Sequence, residues 1–319
     1  MRVVSLLPSA TETLCRLGGS ALLVGRSHEC DFPADIQNRP VLTSQTTEFT
    51  TASDVDAAVS AQIASGQPLY RLDAALLAEL RPDLILTQDL CEVCSIDLET
   101  VRRVAADMSP SPRVVSLNPE TFEGVLDDVF TIGEAAGLVS QAESLLVELR
   151  ERFYRTAEAI PAFLEGPSVA FLEWTEPLFV GGHWTPQLIE RAGGRHPLNP
   201  TRPIEGVGSG YAAQLDQRVA GKSIRVTTEQ LVESRPEFLI VCPCGLDLNA
   251  TRQAVGEIEG ESWWRDLPAV KQGRVALVDG NQMFNRPGPR LVDAFEWLVG
   301  WQNERPEMIP SGFPWEPWK

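Results

Sequence analysis

The stretch LLAELRPDLILTQD, residues 76–89, combines the end of a helix, an Arg-Pro-Asp turn and a buried strand. The stretch LVESRPEFLIVCPCG, residues 231–245, repeats the same order of parts in the second half of the chain. Apolar runs of strand length that alternate with helical segments are typical of parallel α/β sheets. In a chain of 319 residues, which is long enough for two domains, the repeat predicts two similar α/β lobes.

Further strands and helices alternate on either side of these two stretches. Ser9 and Glu12 have the spacing of a capping box before a helix that ends at Gly18, and Asn118 before Pro119 predicts another helix start. The proline- and tryptophan-rich tail at residues 310–319 is expected to be extended, with Trp315 and Trp318 as anchors. The strands predicted outside the repeat are residues 2–7, 22–25, 113–117, 168–172 and 274–278.

A charged, helix-prone segment at residues 140–160 separates the two halves, and as a helix it would be about 30 Å long. Its apolar residues recur at helical spacing. We therefore predict an N-terminal α/β lobe at residues 1–138, one connecting helix at 139–162 and a C-terminal α/β lobe at 163–319. In this prediction a ligand cleft lies between the lobes.

Composition and charge exclude several classes of protein. Apolar residues make up 43% of the chain, and its net charge of −17 argues against nucleic acid or an anionic membrane as a partner. No stretch approaches the roughly 18 apolar residues of a membrane span. The opening MRVVSLLP has too short an apolar run for a secretory signal. We therefore expect a cytoplasmic protein without membrane insertion.

Soft and aromatic side chains follow the predicted strands, where parallel α/β sheets bind their ligands. Five of the six cysteines and two of the three histidines fall at these positions. His28 and His183 are candidate ligands of a metal ion. The aromatic residues suited to covering a large flat ligand are Trp174, Phe179, Trp184 and Phe284.

The cysteine spacing leaves three interpretations open. A C-x-x-C motif and a C-x-C motif allow a zinc ion or an iron–sulfur cluster to be bound, although a second C-x-x-C at zinc-ribbon spacing is absent. An enzyme with a nucleophilic Cys91 or Cys94 is a further alternative, but the chain has neither a G-x-S-x-G motif nor a Walker loop. Cys15 lies within the first helix and is expected in the core. The candidate metal ligands are His28, Cys30, Cys91, Cys94, Cys242 and Cys244.

The whole chain resembles the substrate-binding proteins of ABC importers whose two lobes are joined by one rigid helix, and within them the cobalamin-binding proteins. The resemblance rests on RVVSLLPSATETLCRLG, GRSHECDFP and RVVSLNPETFEGVLDDVFTIGEAAG in the first half, and on IERAGG, SRPEFLIVC and RPGPRLVDAFEWL in the second. Members of this group also bind haem, siderophores and metal ions. The resemblance implies a small-molecule ligand, and association with ABC importer components is doubtful without export.

By position, the resemblance implies ligand contacts around residues 5–9, 28–32, 89–94, 174–184 and 284–286. It also places Glu190 near the surface acidic residue with which such proteins dock on the membrane transporter. The function that we predict is non-catalytic binding of cobalamin or another corrinoid; the alternative is a zinc or iron–sulfur metalloprotein. The predicted ligand-binding residues are Ser9, His28, Glu29, Cys30, Asp31, Trp174, His183, Trp184, Phe284 and Arg286.

Overall fold

A computed structural model of the protein describes residues 1–46, 59, 61–62, 69–89, 96–161, 166–206 and 217–319. The chain forms two compact units, the first from Met1–Pro119 with Gly124–Leu149 and the second from Glu120–Glu123 with Arg150–Lys319. The helix predicted at residues 140–160 is observed at Val139–Ala157 and contributes residues to both units. Among the described helices, none has the length and apolar character that crossing a membrane requires.

Four parallel strands form the main sheet of the first unit. Its core packs apolar side chains of the strands, such as Val4 and Ile85, against helix residues such as Val101. In sheet order the strands are Leu23–Arg26, Val3–Ser5, Leu84–Thr87 and Arg113–Ser116. A separate antiparallel pair joins Thr43–Gln45 to Tyr70–Leu72. The helices are Pro8–Arg16, Ala74–Leu80, Leu98–Ala106 and Phe122–Ala136, the last of which begins in the second unit.

The second unit has a six-stranded sheet whose three central strands are parallel and whose three outer strands are antiparallel to their neighbours. In sheet order they are Ile224–Arg225, Leu178–Val180, Val169–Thr175, Phe238–Val241, Val275–Val278 and Trp315–Pro317. Arg202–Pro203 and Arg218–Val219 form a small separate pair. The helices are Trp184–Arg191, Thr228–Glu233, Leu248–Ile258, Ser262–Asp266, Pro268–Lys271 and Leu291–Gln302.

The repeated Arg-Pro turn has the same backbone conformation in both units. Arg81 and Arg235 each have a positive φ, 42° and 47°, at the end of a helix and before a central strand. The predicted tail is also confirmed. Trp315 begins the antiparallel edge strand, and its ring centre lies 5.5 Å from that of Trp297. The ring centres of Trp318 and Trp264 are also 5.5 Å apart.

Two of the predicted helix starts are wrong. The first helix begins at Pro8 with Leu7 as its N-cap and without a side-chain cap, so Ser9 lies inside the helix with its side chain buried. Asn118 does not cap a helix either, because the next helix begins only at Phe122. The predicted end of the first helix is confirmed, since Gly18 follows it with a φ of +81°.

Candidate functional site

Arg26 holds the loop that follows the second strand of the first unit. Its guanidinium donates hydrogen bonds to the carbonyl oxygens of Ser27 at 3.1 Å, Cys30 at 2.8 Å and Gln37 at 3.0 Å. Through these three bonds, the Arg26 side chain fixes the backbone of residues 27–37. The loop therefore presents its outer side chains at the carboxyl end of the sheet in a defined conformation.

His28 is anchored in this loop by the hydroxyl group of Thr43. Thr43 Oγ1 accepts the His28 backbone N–H at 3.1 Å and lies 2.7 Å from Nδ1, and the Tyr70 ring is 5.7 Å away. Burial, followed by the charge of Arg26, lowers the pKa of His28, so the ring is neutral at pH 7. Within the described part of the chain, Nε2 has no hydrogen-bond partner, but it is shielded from solvent. His28 thus has an uncommitted nitrogen that a ligand reaches only after the side chain moves.

The predicted ligand residues next to His28 differ in burial. Cys30 is fully buried, with its sulfur 3.0 Å from Thr11 Oγ1, and Ser9 is 6% exposed. Neither side chain is at the surface of this structure, and their contact with a ligand stays a prediction. Glu29 is half-buried and Asp31 is exposed. Phe32 lies in the predicted contact segment 28–32, although it was not named as a ligand-binding residue, and it is 43% exposed.

The third strand of this sheet leads into Asp89, whose backbone N–H donates to Asn118 Oδ1 at 2.7 Å. Asn118 follows the neighbouring strand, so this bond ties two strand ends together. Cys91 and Cys94 lie outside the described residues. Their predicted role in binding a metal ion, and as a nucleophile, stays a prediction.

In the second unit, Trp174 lies near the end of the long strand Val169–Thr175. Its ring nitrogen donates to the carbonyl oxygen of Glu176 at 3.0 Å, and the side chain is half-buried. A half-buried indole that is held by a hydrogen bond offers a flat apolar face at little cost in side-chain entropy. Trp174 is therefore suited to contact a large ligand.

Glu173 is a site residue that the sequence-based prediction missed. Its Oε2 accepts a hydrogen bond from Ser223 Oγ at 2.6 Å. Burial raises the pKa of the Glu173 carboxyl, and hydrogen bonds from Ser223 and the Gly182 backbone partly oppose this. The signal that could have found it is an acidic residue inside the otherwise uncharged strand VAFLEWT.

His183 is held in an uncommon backbone conformation at the start of the helix Trp184–Arg191. Its φ is 53°, and its backbone N–H donates to the Gly221 carbonyl at 2.9 Å. A Cβ at Gly182 would lie 2.3 Å from the backbone nitrogen of Ser223, so the close approach of the two segments requires glycine. Burial lowers the pKa of His183, Glu120 raises it and Lys222 lowers it. His183 is half-buried at the carboxyl end of the sheet.

Two of the predicted aromatic ligand contacts, Trp184 and Phe284, are buried in this structure. Trp184 is 7% exposed and its ring nitrogen donates to the Phe284 carbonyl at 2.7 Å. Phe284 is 1% exposed and packs edge-on against Phe171 and Trp297. Both rings fill the interior in this structure, and their contact with a ligand stays a prediction. Arg286, directly after them, is half-buried.

The cysteines of the second unit do not form a metal site with other described residues. Cys242 is fully buried, and burial raises the pKa of its thiol well above the usual value. Cys244 is half-buried, and its backbone N–H donates to the Glu173 carbonyl at 3.1 Å. Over the described ranges, no three His, Cys, Asp or Glu residues are arranged to hold a metal ion.

Glu190 is committed to contacts within the second unit. Its carboxylate accepts the Thr201 backbone N–H at 2.9 Å and also the Thr201 hydroxyl, and it lies 3.9 Å from Arg218 Nε. Its side chain is only 15% exposed. The Glu190 carboxylate is therefore committed to its own unit, and docking on a membrane transporter near this position stays a prediction.

Comparison with protein families and known sequences shows what the chain is similar to. A family model described as periplasmic binding protein matches residues 3–281. A curated cobalamin-binding protein of Halobacterium salinarum is 24% identical over 294 residues. The match covers 92% of this chain and 66% of that protein, so the chain spans just under two thirds of the relative's length.

Solved structures of the same fold cover nearly the whole chain. A periplasmic heme binding protein from Pseudomonas aeruginosa has a TM-score of 0.67 at 20% identity, covering 100% of this chain and 95% of its own. The periplasmic vitamin B12 binding protein BtuF of Vibrio cholerae has a TM-score of 0.64 at 16% identity, covering 96% and 98%. At these identities the likeness concerns the fold.

Proposed function

Because the chain belongs to the periplasmic binding protein family, we propose that it binds a corrinoid of the cobalamin type at the carboxyl-end loops of its sheets. The family binds solutes without catalysis, which confirms the prediction that the chain is not an enzyme. The identity of the ligand, the residues that hold it and any association with ABC importer components belong to the proposal.

The observation that carries the corrinoid assignment is the match to the cobalamin-binding protein of Halobacterium salinarum over 92% of the chain. The side chains at the strand ends support it. In the second unit, Trp174 provides a flat apolar face for a large ring, and His183 provides an imidazole. The net charge of −17 gives no general attraction for an anionic ligand such as haem.

Titration with cobalamin tests the proposal. The purified protein is titrated with aquocobalamin and, in parallel, with haemin, while tryptophan fluorescence and the visible spectrum are recorded. We expect a Kd for cobalamin below about 10 μM and haemin binding at least about tenfold weaker. Cobalamin binding that is undetectable at about 100 μM, or haemin binding that is the tighter of the two, contradicts the corrinoid assignment.

The variant Trp174→Ala tests the position of the ligand. Loss of a rigid aromatic contact is expected to raise the Kd for cobalamin by about tenfold or more. The matched control is Tyr154→Ala, which removes a 66% exposed aromatic side chain from the helix Val139–Ala157. The control is expected to bind as the unchanged protein does. Equal affinities of both variants contradict the placement of the ligand at Trp174.

The zinc or iron–sulfur interpretation has no supporting group of ligands in the described ranges, and Cys91 and Cys94 lie outside them. The cytoplasmic location stays a prediction, which cell fractionation checks.

A further inference from the structure

A groove of about 450 Å³ lies in the second unit, at the amino ends of its parallel strands. This is the opposite end of the strands from Trp174 and His183. It is lined by Gly166, Pro167, Arg195, Glu237, Phe238, Arg274, Gln302, Asn303 and Glu304. Close backbone contact builds its floor, since a Cβ at Gly166 would lie 1.6 Å from the Gly193 carbonyl oxygen.

The side-chain amide of Gln302, in the wall of this groove, makes no hydrogen bonds to the described residues. Gln302 is 6% exposed, and neither Oε1 nor Nε2 has a partner among the described residues. The adjacent Asn303 differs, because its amide donates to the carbonyls of Ala192 at 3.1 Å and Val299 at 3.0 Å. Buried amides are rarely left unpaired, so the Gln302 amide has hydrogen-bonding capacity that a bound molecule can use. Both polar atoms are shielded from solvent, so a ligand in the groove reaches them only after the side chain turns toward it.

Arg274 supplies a positive charge to the same groove. Its guanidinium lies 5.0 Å from the centre of the Phe238 ring, and Nη2 is 3.6 Å from Glu304 Oε1. That separation is too long for a hydrogen bond, and the Glu304 side chain is 80% exposed. A guanidinium that rests on an aromatic ring presents its N–H groups in the geometry that a carboxylate binds.

Acceptors line the groove as well as donors. Glu237 Oε1 accepts the Ser168 backbone N–H at 3.0 Å, which holds its carboxylate in place, and Gln302 Oε1 is an unused acceptor. We propose that the groove binds a small carboxylate that carries a neighbouring hydroxyl or ammonium donor. The carboxylate pairs with Arg274, and the Gln302 amide bonds to the ligand's polar groups.

Three compounds with the same carbon skeleton test this chemistry. Propionate has the carboxylate alone, lactate adds a hydroxyl donor and alanine adds an ammonium donor. Calorimetric titration of the full chain is expected to give a Kd below about 1 mM for lactate or alanine, and binding of propionate at least about tenfold weaker. Equal binding of the three, or none up to about 10 mM, overturns the proposal.

Two variants locate the site. Gln302→Leu keeps the size of the side chain and removes both polar atoms, so the affinity for the better probe is expected to fall to that for propionate. Arg274→Gln is expected to abolish binding of all three. The control is Arg252→Gln, an arginine paired with Glu316 outside the groove, which is expected to bind as before. Unchanged affinity in Gln302→Leu overturns the proposal.

Thermal unfolding of each variant shows that it is folded. The cobalamin titration is a separate readout, since Gln302 lies at the other end of the strands from Trp174. Gln302→Leu is expected to leave cobalamin binding unchanged, so this proposal and the corrinoid assignment fail independently.

Discussion

The carboxylate of Glu190 forms its contacts with residues of its own unit. Its carboxylate accepts two hydrogen bonds from Thr201 and lies 3.9 Å from Arg218, which itself donates through Nε to Thr201 Oγ1 at 2.8 Å. Arg218 also donates to the Thr201 carbonyl at 2.6 Å. The three residues join the helix Trp184–Arg191 to the small strand pair, so the charge of Glu190 has a structural role.

Replacement of Glu190 is therefore expected to reduce stability. Glu190→Gln removes the charge and replaces one acceptor oxygen with a donor that faces the Thr201 hydroxyl and Arg218. We expect the free energy of unfolding to fall by about 1–3 kcal/mol, measured by urea denaturation at pH 7. The control Glu257→Gln, on an exposed position of the helix Leu248–Ile258, is expected to change it by less than about 0.5 kcal/mol. Equal stabilities of the two variants would falsify the structural role.

Residue order along the chain predicts which side chains follow a strand, but not which of them are exposed. His28, Trp174 and His183 follow or end their strands as predicted and remain at least partly accessible. Cys30 and Phe284 follow strands too, yet the turn after each strand points them into the core. That direction depends on tertiary contacts, such as the hydrogen bond between Cys30 and Thr11, which local sequence does not encode.

At the scale of elements, prediction succeeded where apolar periodicity and backbone chemistry agree. The strands Leu84–Thr87 and Phe238–Val241 are four buried residues each, and the turns before them were predicted from Arg-Pro. Helix starts were harder, because a cap contributes only about 1 kcal/mol and packing overrides it. Ser9 is an example, since Pro8 begins the helix and the Ser9 side chain is buried.

The helix Phe122–Ala136 carries two adjacent acidic residues in different surroundings. Asp127 is exposed, whereas burial and the charge of Asp127 raise the pKa of Asp128 to about 7. In the unfolded chain the pKa of an aspartate is about 3.9. The folded state therefore binds more protons between about pH 4 and 7, and the free energy of unfolding falls as the pH rises through this range.

Asp128→Asn removes the free-energy cost of ionising this carboxyl in the folded state. At pH 8 the free energy of unfolding is expected to rise by about 1–3 kcal/mol, and the gain is expected to be nearly absent at about pH 3, where Asp128 is mostly protonated in both states. Urea denaturation at the two pH values measures it. Asp127→Asn is the matched control, one residue away and exposed, and is expected to gain much less. A gain in Asp128→Asn that does not depend on pH contradicts the explanation.

In the molecule as a whole, two buried titratable groups, Asp128 and His196, respond to acid in opposite ways. Asp128 belongs to the first unit, whereas His196 belongs to the second. His196 is 1% exposed, its Nδ1 accepts the Asn199 backbone N–H at 3.2 Å, and burial lowers its pKa to about 4. Between about pH 6.5 and 4 the unfolded chain binds a proton that the folded state does not, so acid weakens the second unit.

The pH dependence of unfolding should separate the two contributions. His196→Gln keeps a hydrogen-bond acceptor and removes the titration. Between pH 6.5 and 4.5 the free energy of unfolding is therefore expected to fall less in the variant than in the unchanged protein, by up to about 3 kcal/mol. Glu173 opposes His196 in the same unit, which is why each variant is compared with the unchanged chain. Because Asp128 and His196 lie in different units, the pH-dependent effects in the double variant should add. If His196→Gln retains the full loss of stability in acid, burial of a neutral imidazole is not its cause.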